Sequence, residues 1–187
     1  VVDTALNTWT KLREFCNSQG ASNAGATVSV WYTIASANLP ITTGIVTITL
    51  ANSKTSKAAT IREFTLGAGS TISLADQADL ATDGAVNPGS IAISGLTNKE
   101  YLFFSGLAGE NNDQVIATPT TSFTAIQNQV ADTGTGATSM AADGEYRILT
   151  GTSSTSNPTG TASEDHASTF LAIQEVVGTT LFAQALL

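Results

Sequence analysis

His166 is the single histidine of the chain and adjoins Glu164 and Asp165, the side-chain types from which acid–base or metal chemistry is built. A hydrolytic site also needs an activated nucleophile, and no Gly-x-Ser-x-Gly elbow or comparable serine context occurs. The Ser/Thr-rich stretch before His166 favours a solvated polar histidine instead. Cys16, the single cysteine, could offer His166 a thiol nucleophile, but beside Phe15 it reads as a small buried hydrophobe. Standing alone, it forms no internal disulfide and no cysteine-based zinc site.

Asp76, Asp79 and Asp83, and the run Glu110-Asn111-Asn112-Asp113, carry the hard oxygen ligands that calcium prefers. Neither follows EF-hand spacing, and calcium needs about six to eight convergent oxygens, so solvated acidic loops are the simpler reading. The glycines near Gly67 and Gly134 lack the Gly-Lys-Ser/Thr ending of a phosphate-cradling loop and read as turns. Trp9, Trp31, Tyr32, Tyr101 and Tyr146 could form a sugar-stacking platform, yet aromatics at alternating strand positions usually pack on a sheet. The expectation is no cofactor, no catalytic residue and no metal ligand.

The elements that would position these residues are strands. Val28 to Ala37 alternates Val28, Val30, Tyr32 and Ile34 against Ser29, Trp31, Thr33 and Ala35, the period of two that a strand requires. Gly44 to Leu50 sets Val46, Ile48 and Leu50 against a Thr face. Thr60 to Leu66 and Ser70 to Leu74 flank Gly67-Ala68-Gly69 as a hairpin. Asp76 to Asn87 reads as a polar loop with a short helical turn. Tyr101-Leu102-Phe103-Phe104 is apolar on both faces, as a central strand covered on two sides would be. Asp143-Gly144 signals a two-residue hairpin between Ala137 to Ala142 and Glu145 to Thr150. Gly151 to Ser163 reads as a long loop, and Ser168 to Val177 and Thr180 to Leu186 as closing strands. Thr8 to Phe15 fits a helical turn or a strand equally.

Composition agrees with sheet. The 187 residues suit one domain over 1–187, and 42% hydrophobic residues exclude a disordered tail. The chain holds 30 Thr, 27 Ala, 18 Ser and 16 Gly but only 12% charged residues, a mixture that favours pleated, half-buried surfaces over helices. About nine or ten short strands then point to an all-β antiparallel sandwich, jelly-roll-like or immunoglobulin-like. Seven Lys and Arg against fifteen Asp and Glu give a net charge of −8. Nucleic acid and anionic membrane surfaces are disfavoured as partners by that sign, and no apolar run approaches the roughly 20 residues of a membrane span. Val1-Val2-Asp3 opens without the charged and apolar regions of a signal peptide.

Uncharged Thr-rich faces with little Lys to blunt their edges suit pairing with other copies or another sheet, which suggests a homo-oligomer. The apolar segment Thr180 to Leu187 suits docking on the sandwich or on a neighbour. Trp31, Tyr32, Leu181, Phe182, Leu186 and Leu187 are therefore the candidate partner-binding residues.

Several short motifs follow one another in order along the chain. They are Trp9-Thr10-Lys11-Leu12, Val30-Trp31-Tyr32, Gly44-Ile45-Val46-Thr47-Ile48-Thr49, Ala58-Ala59-Thr60-Ile61, Gly109-Glu110-Asn111-Asn112, Thr118-Pro119-Thr120 before Phe123-Thr124, Glu145-Tyr146-Arg147 and Asn157-Pro158-Thr159. In these the sequence resembles the β-sandwich structural proteins of tailed bacteriophages, a loose group of capsid decoration (cement) proteins and tail-fibre modules. Such proteins usually carry another strand before the Trp-Thr-x-Leu segment. Here only Val1 to Thr8 precedes it, so that strand would be missing or borrowed from a neighbouring subunit. The resemblance carries over no catalytic residues. It implies a virion protein on the outer capsid surface that contacts the major capsid protein and stabilises the shell. A carbohydrate- or receptor-binding module of a tail fibre or secreted adhesin is the alternative.

Overall fold

The computed structural model describes residues 1–17, 25–36, 39–40, 42–50, 56–110, 115–131, 139–161 and 163–177. Among these the regular elements are all strands: β1 (Val2–Asp3), β2 (Thr10–Cys16), β3 (Thr27–Tyr32), β4 (Val46–Thr47), β5 (Thr71–Ala85), β6 (Ile91–Ile93), β7 (Lys99–Gly109), β8 (Thr124–Ala131), β9 (Met140–Gly151), β10 (Ser154–Ser156) and β11 (Glu164–Val176). The expected all-β antiparallel sandwich is what forms.

Its frame is a five-stranded antiparallel sheet in the order β5-β11-β7-β9-β8. Tyr101-Leu102-Phe103-Phe104 lies on β7, the middle strand, as its two-sided apolar pattern requires. Alternation along β7 and β11 sends Tyr101, Phe103, Phe170 and Ala172 to one face, where Ile91 and Ile93 of β6 and Phe123 complete a buried cluster. The rings of Phe103 and Phe170 stack with centroids 5.9 Å apart, and burying each fully contributes roughly 1.5–3 kcal/mol. Ala108 and Ala167 face the other way and meet Ala26 and Val28 beneath the β2–β3 hairpin. Small side chains let that hairpin settle close: a Cβ at Gly106 would lie 3.1 Å from Val30 Cγ2. The Arg13 guanidinium on β2 grips the Asp79 carboxylate on β5 through Nε, 3.1 Å from Oδ1, and through a second contact to Oδ2.

Several strands are longer than the sequence suggests, β5 reaching 15 residues and β11 reaching 13. Asp76 to Ala85 belongs to β5 rather than to a loop. Ala78, Leu80 and Thr82 alternate there with Gln77, Asp79 and Asp83, so one side faces the core while charge blunts an edge strand. Asp143-Gly144 is no hairpin either: β9 runs straight through it, paired with β7 from Ala141 to Gly151. Gly144 serves close approach, since a Cβ there would strike Ser105 O at 2.8 Å. The expected long loop after Gly151 contains β10, which pairs with β6. Of Gly44 to Leu50, only Val46–Thr47 pairs, with β1 ahead of the Trp9 segment. Thr60 to Leu66 forms no ladder, and Thr180 to Leu186 lies outside the described residues.

Candidate functional site

Of the polar groups that the sequence singles out, His166 and Glu164 lie inside the sandwich, on the same sheet face as Asp143 and Glu145. On β9, alternation points Asp143 and Glu145 to the same face as Phe170, and on β11 it does the same for Glu164 and His166. All four side chains are buried, His166 and Glu145 with no solvent exposure. His166 is therefore a core residue and not the solvated one its neighbours suggest, because the strand begins at Glu164 and takes it under the cover of the sheet.

The carboxylates on β9 hold loops. Glu145 accepts hydrogen bonds from the Thr120 amide at 2.7 Å, the Thr120 hydroxyl at 2.6 Å and the Ser156 hydroxyl at 2.7 Å. Asp143 accepts from the amides of Ile116 at 2.9 Å and Gly144 at 2.8 Å. Burial pushes the Asp143 carboxyl up to about 6, with Glu145 adding to the rise and the two amides opposing it. The segment between Val115 and Phe123 is thus clasped onto the sheet, and a Thr118–Thr159 bridge ties it to the strand-linking chain beyond β10.

At the other end of the same face, Thr82 Oγ1 lies 3.2 Å from His166 Nδ1 and His166 Nε2 lies 3.4 Å from Glu164 Oε1. The connectivity is that of a hydroxyl, base and acid relay. Its hydroxyl is also engaged by the chain, since Pro88 O lies 3.4 Å from Thr82 Oγ1. Asn17 adds a buried tie by donating to the carbonyls of Thr82 at 2.7 Å and His166 at 2.9 Å. A cavity of about 290 Å³ lies elsewhere, lined by Ala59, Thr60, Ile61, Arg62, Ile126 and Gln129, and shares no residue with this group.

The remaining candidates are dispersed. Cys16 is exposed rather than buried, because it ends β2 on the outer side of the hairpin. Trp31 and Tyr32 sit half-buried on β3, with Lys11 Nζ 5.7 Å from the centroid of the Trp31 ring. Leu181, Phe182, Leu186 and Leu187 lie outside the described residues, as do Asn111, Asn112 and Asp113. Asp76 and Asp79 are strand residues, and Asp83 shares a hydrogen bond with Asp165 that holds its carboxyl above the ordinary value. Among the described residues no group of three or more His, Cys, Asp or Glu side chains is placed to hold a metal ion.

No family model, curated protein or solved structure gives a significant match to this chain. Its reading therefore rests on its own geometry. Thr82, Thr120, Ser156 and Asn17 were missed by sequence inspection, for their side-chain ties to His166 and Glu145 span from 11 to 149 residues. The spacing of Asp143 and Glu145 was the one available signal, two carboxylates on one face of a strand.

Ile45, Ile48 and Leu50 are 58%, 48% and 43% exposed on one uncharged stretch.

Proposed function

We propose that this chain is a non-enzymatic structural protein of a virion, a capsid decoration subunit that docks on the outer surface of an assembled shell against the major capsid protein. The observation that carries the reading is the exposed aliphatic pair Ile48 and Leu50, two residues apart on a stretch without charge. Neighbouring apolar side chains left in water on an uncharged segment favour a contact site over a solvated face. The buried carboxylates of Asp143 and Glu145 support the same reading, because they accept hydrogen bonds from the fold's own segments around Ile116, Thr120 and Ser156. The ordered resemblance to phage β-sandwich proteins supplies the partner.

Such a subunit acts by mass action. It binds the lattice and not dissociated capsid subunits, so each occupied site shifts the equilibrium toward the closed shell, and many sites multiply a modest free energy. The negative charge of the chain disfavours contact with the genome.

Purified protein should rebind shells stripped of it, saturably, and raise their disruption temperature. Ile48→Asp/Leu50→Asp should weaken rebinding by roughly tenfold or more while leaving the melting temperature of the free protein unchanged. Shells that neither bind the protein nor gain thermal resistance would overturn the reading. Saturable glycan binding lost in Trp31→Ala would replace it with a receptor-binding one.

A further inference from the structure

Residues 57–66 join no ladder with the other described residues. Lys57, Ala59, Ile61, Glu63 and Thr65 are exposed, while Ala58, Thr60, Phe64 and Leu66 are half-buried; this strand-like alternation is interrupted only at Arg62, which is exposed. The inward side is anchored: the Phe64 ring meets Tyr146 edge-on at 4.9 Å, and the Arg62 guanidinium donates to the Tyr146 hydroxyl at 3.1 Å. No residue from 57 to 66 shares a backbone hydrogen bond with another described residue. The backbone of this segment is thus left without a ladder among the described residues, the state that recruits another strand.

The side chains say which strand. In an antiparallel pair of identical segments centred on Thr60, Lys57 falls opposite Glu63 and Ala59 opposite Ile61, each twice by symmetry. Both opposed pairs lie on the exposed side, where Ile61 is 62% exposed. Opposite charges and a β-branched residue against a small one are the favourable cross-strand combinations. A register one residue away sets Lys57 against Arg62 or against Phe64 and loses the ion pairs. The segment is self-complementary in one register, as a twofold contact requires.

We propose that two copies of this chain associate through residues 57–63, forming an antiparallel two-stranded ladder about a twofold axis at Thr60. This contact goes beyond the shell-docking reading and uses different residues. Its failure leaves that reading, which rests on Ile48 and Leu50, where it stands.

Sedimentation of the purified full chain tests it. The protein should sediment as a dimer in a concentration-dependent equilibrium. Lys57→Glu should weaken association by roughly tenfold or more, since two favourable pairs become two repulsions. The charge swap Lys57→Glu/Glu63→Lys should restore it, and both substitutions fall on exposed side chains. In a Cys16→Ser background, Thr60→Cys should oxidise to a covalent dimer and Thr65→Cys should not. A monomer at every concentration, a dimer indifferent to Lys57→Glu, or equal cross-linking at 60 and 65 would each overturn the proposal.

Discussion

His166 Nε2 lies 3.4 Å from Glu164 Oε1 with both side chains inside the sandwich, and neither Glu164 oxygen accepts a hydrogen bond from another described residue. A buried pair of this sort gains little over an apolar replacement, because desolvation offsets most of the attraction, but losing one member strands the other. Glu164→Ala and His166→Ala should each destabilise the fold by about 3 kcal/mol. The double variant Glu164→Leu/His166→Phe should cost clearly less than the two single losses added together. Urea denaturation of the single and double variants measures this, and strict additivity would show the two residues to be uncoupled.

Glu145 gathers three donors from two segments that are not its own strand. Glu145→Gln keeps one accepting oxygen and replaces the other with an NH₂ group, so at least one donor is left buried without an acceptor. The expected loss is about 2 kcal/mol. Faster hydrogen exchange at the Thr120 amide would locate the loss in the clasped segment. Unchanged exchange there would show that Glu145 does not hold it.

Asp143 should make the protein more stable in mild acid. Its carboxyl is pushed up to about 6 in the folded chain, because of burial, against an ordinary aspartate value of 3.8. Between these values the folded state binds more protons than the unfolded one, so stability falls as pH rises through this window. The span corresponds to roughly 2 to 3 kcal/mol at most. Asp143→Asn should flatten the dependence between about pH 4 and 6. Below that window the order reverses: amide and hydroxyl donors hold Glu175 below its usual value, and the stability it contributes is lost as the pH falls through its folded value. Melting temperatures of both chains across this range decide the matter.

Gly144→Ala should cost about 1 to 3 kcal/mol through overpacking. The nearest obstacle to its Cβ is the backbone oxygen of Ser105 at 2.8 Å, followed by Ile126 Cδ1 at 3.3 Å. Trimming the side chain with Ile126→Val should not rescue the variant, since the limiting contact is main chain. Rescue in thermal denaturation would reverse that ranking.

The middle of the sheet was legible because Tyr101 to Phe104 is apolar on both faces, a pattern that one covered strand satisfies and an edge strand does not. β5 was not legible. Asp76, Asp79 and Asp83 look like a loop until Arg13, 66 residues from Asp79, supplies the opposite charge. Asp143-Gly144 misled for a related reason. The dipeptide has turn chemistry, yet Ser105 presses against Gly144 and the Ile116 amide satisfies Asp143, so the backbone stays extended.

Local alternation, turn residues and the scarcity of charge were enough to determine that this chain is all-β and where its apolar centre lies, because those preferences act between near neighbours. Which polar residues are buried, and with what, was decided only in three dimensions. A carboxylate such as Glu145 survives in the interior when Thr120 and Ser156 reach it, and no spacing along the chain encodes that meeting. The unpaired stretch 57–66 belongs to both kinds of knowledge. Its strand pattern is written in sequence, but that its backbone finds no partner among the described residues emerges only once every other strand has been placed.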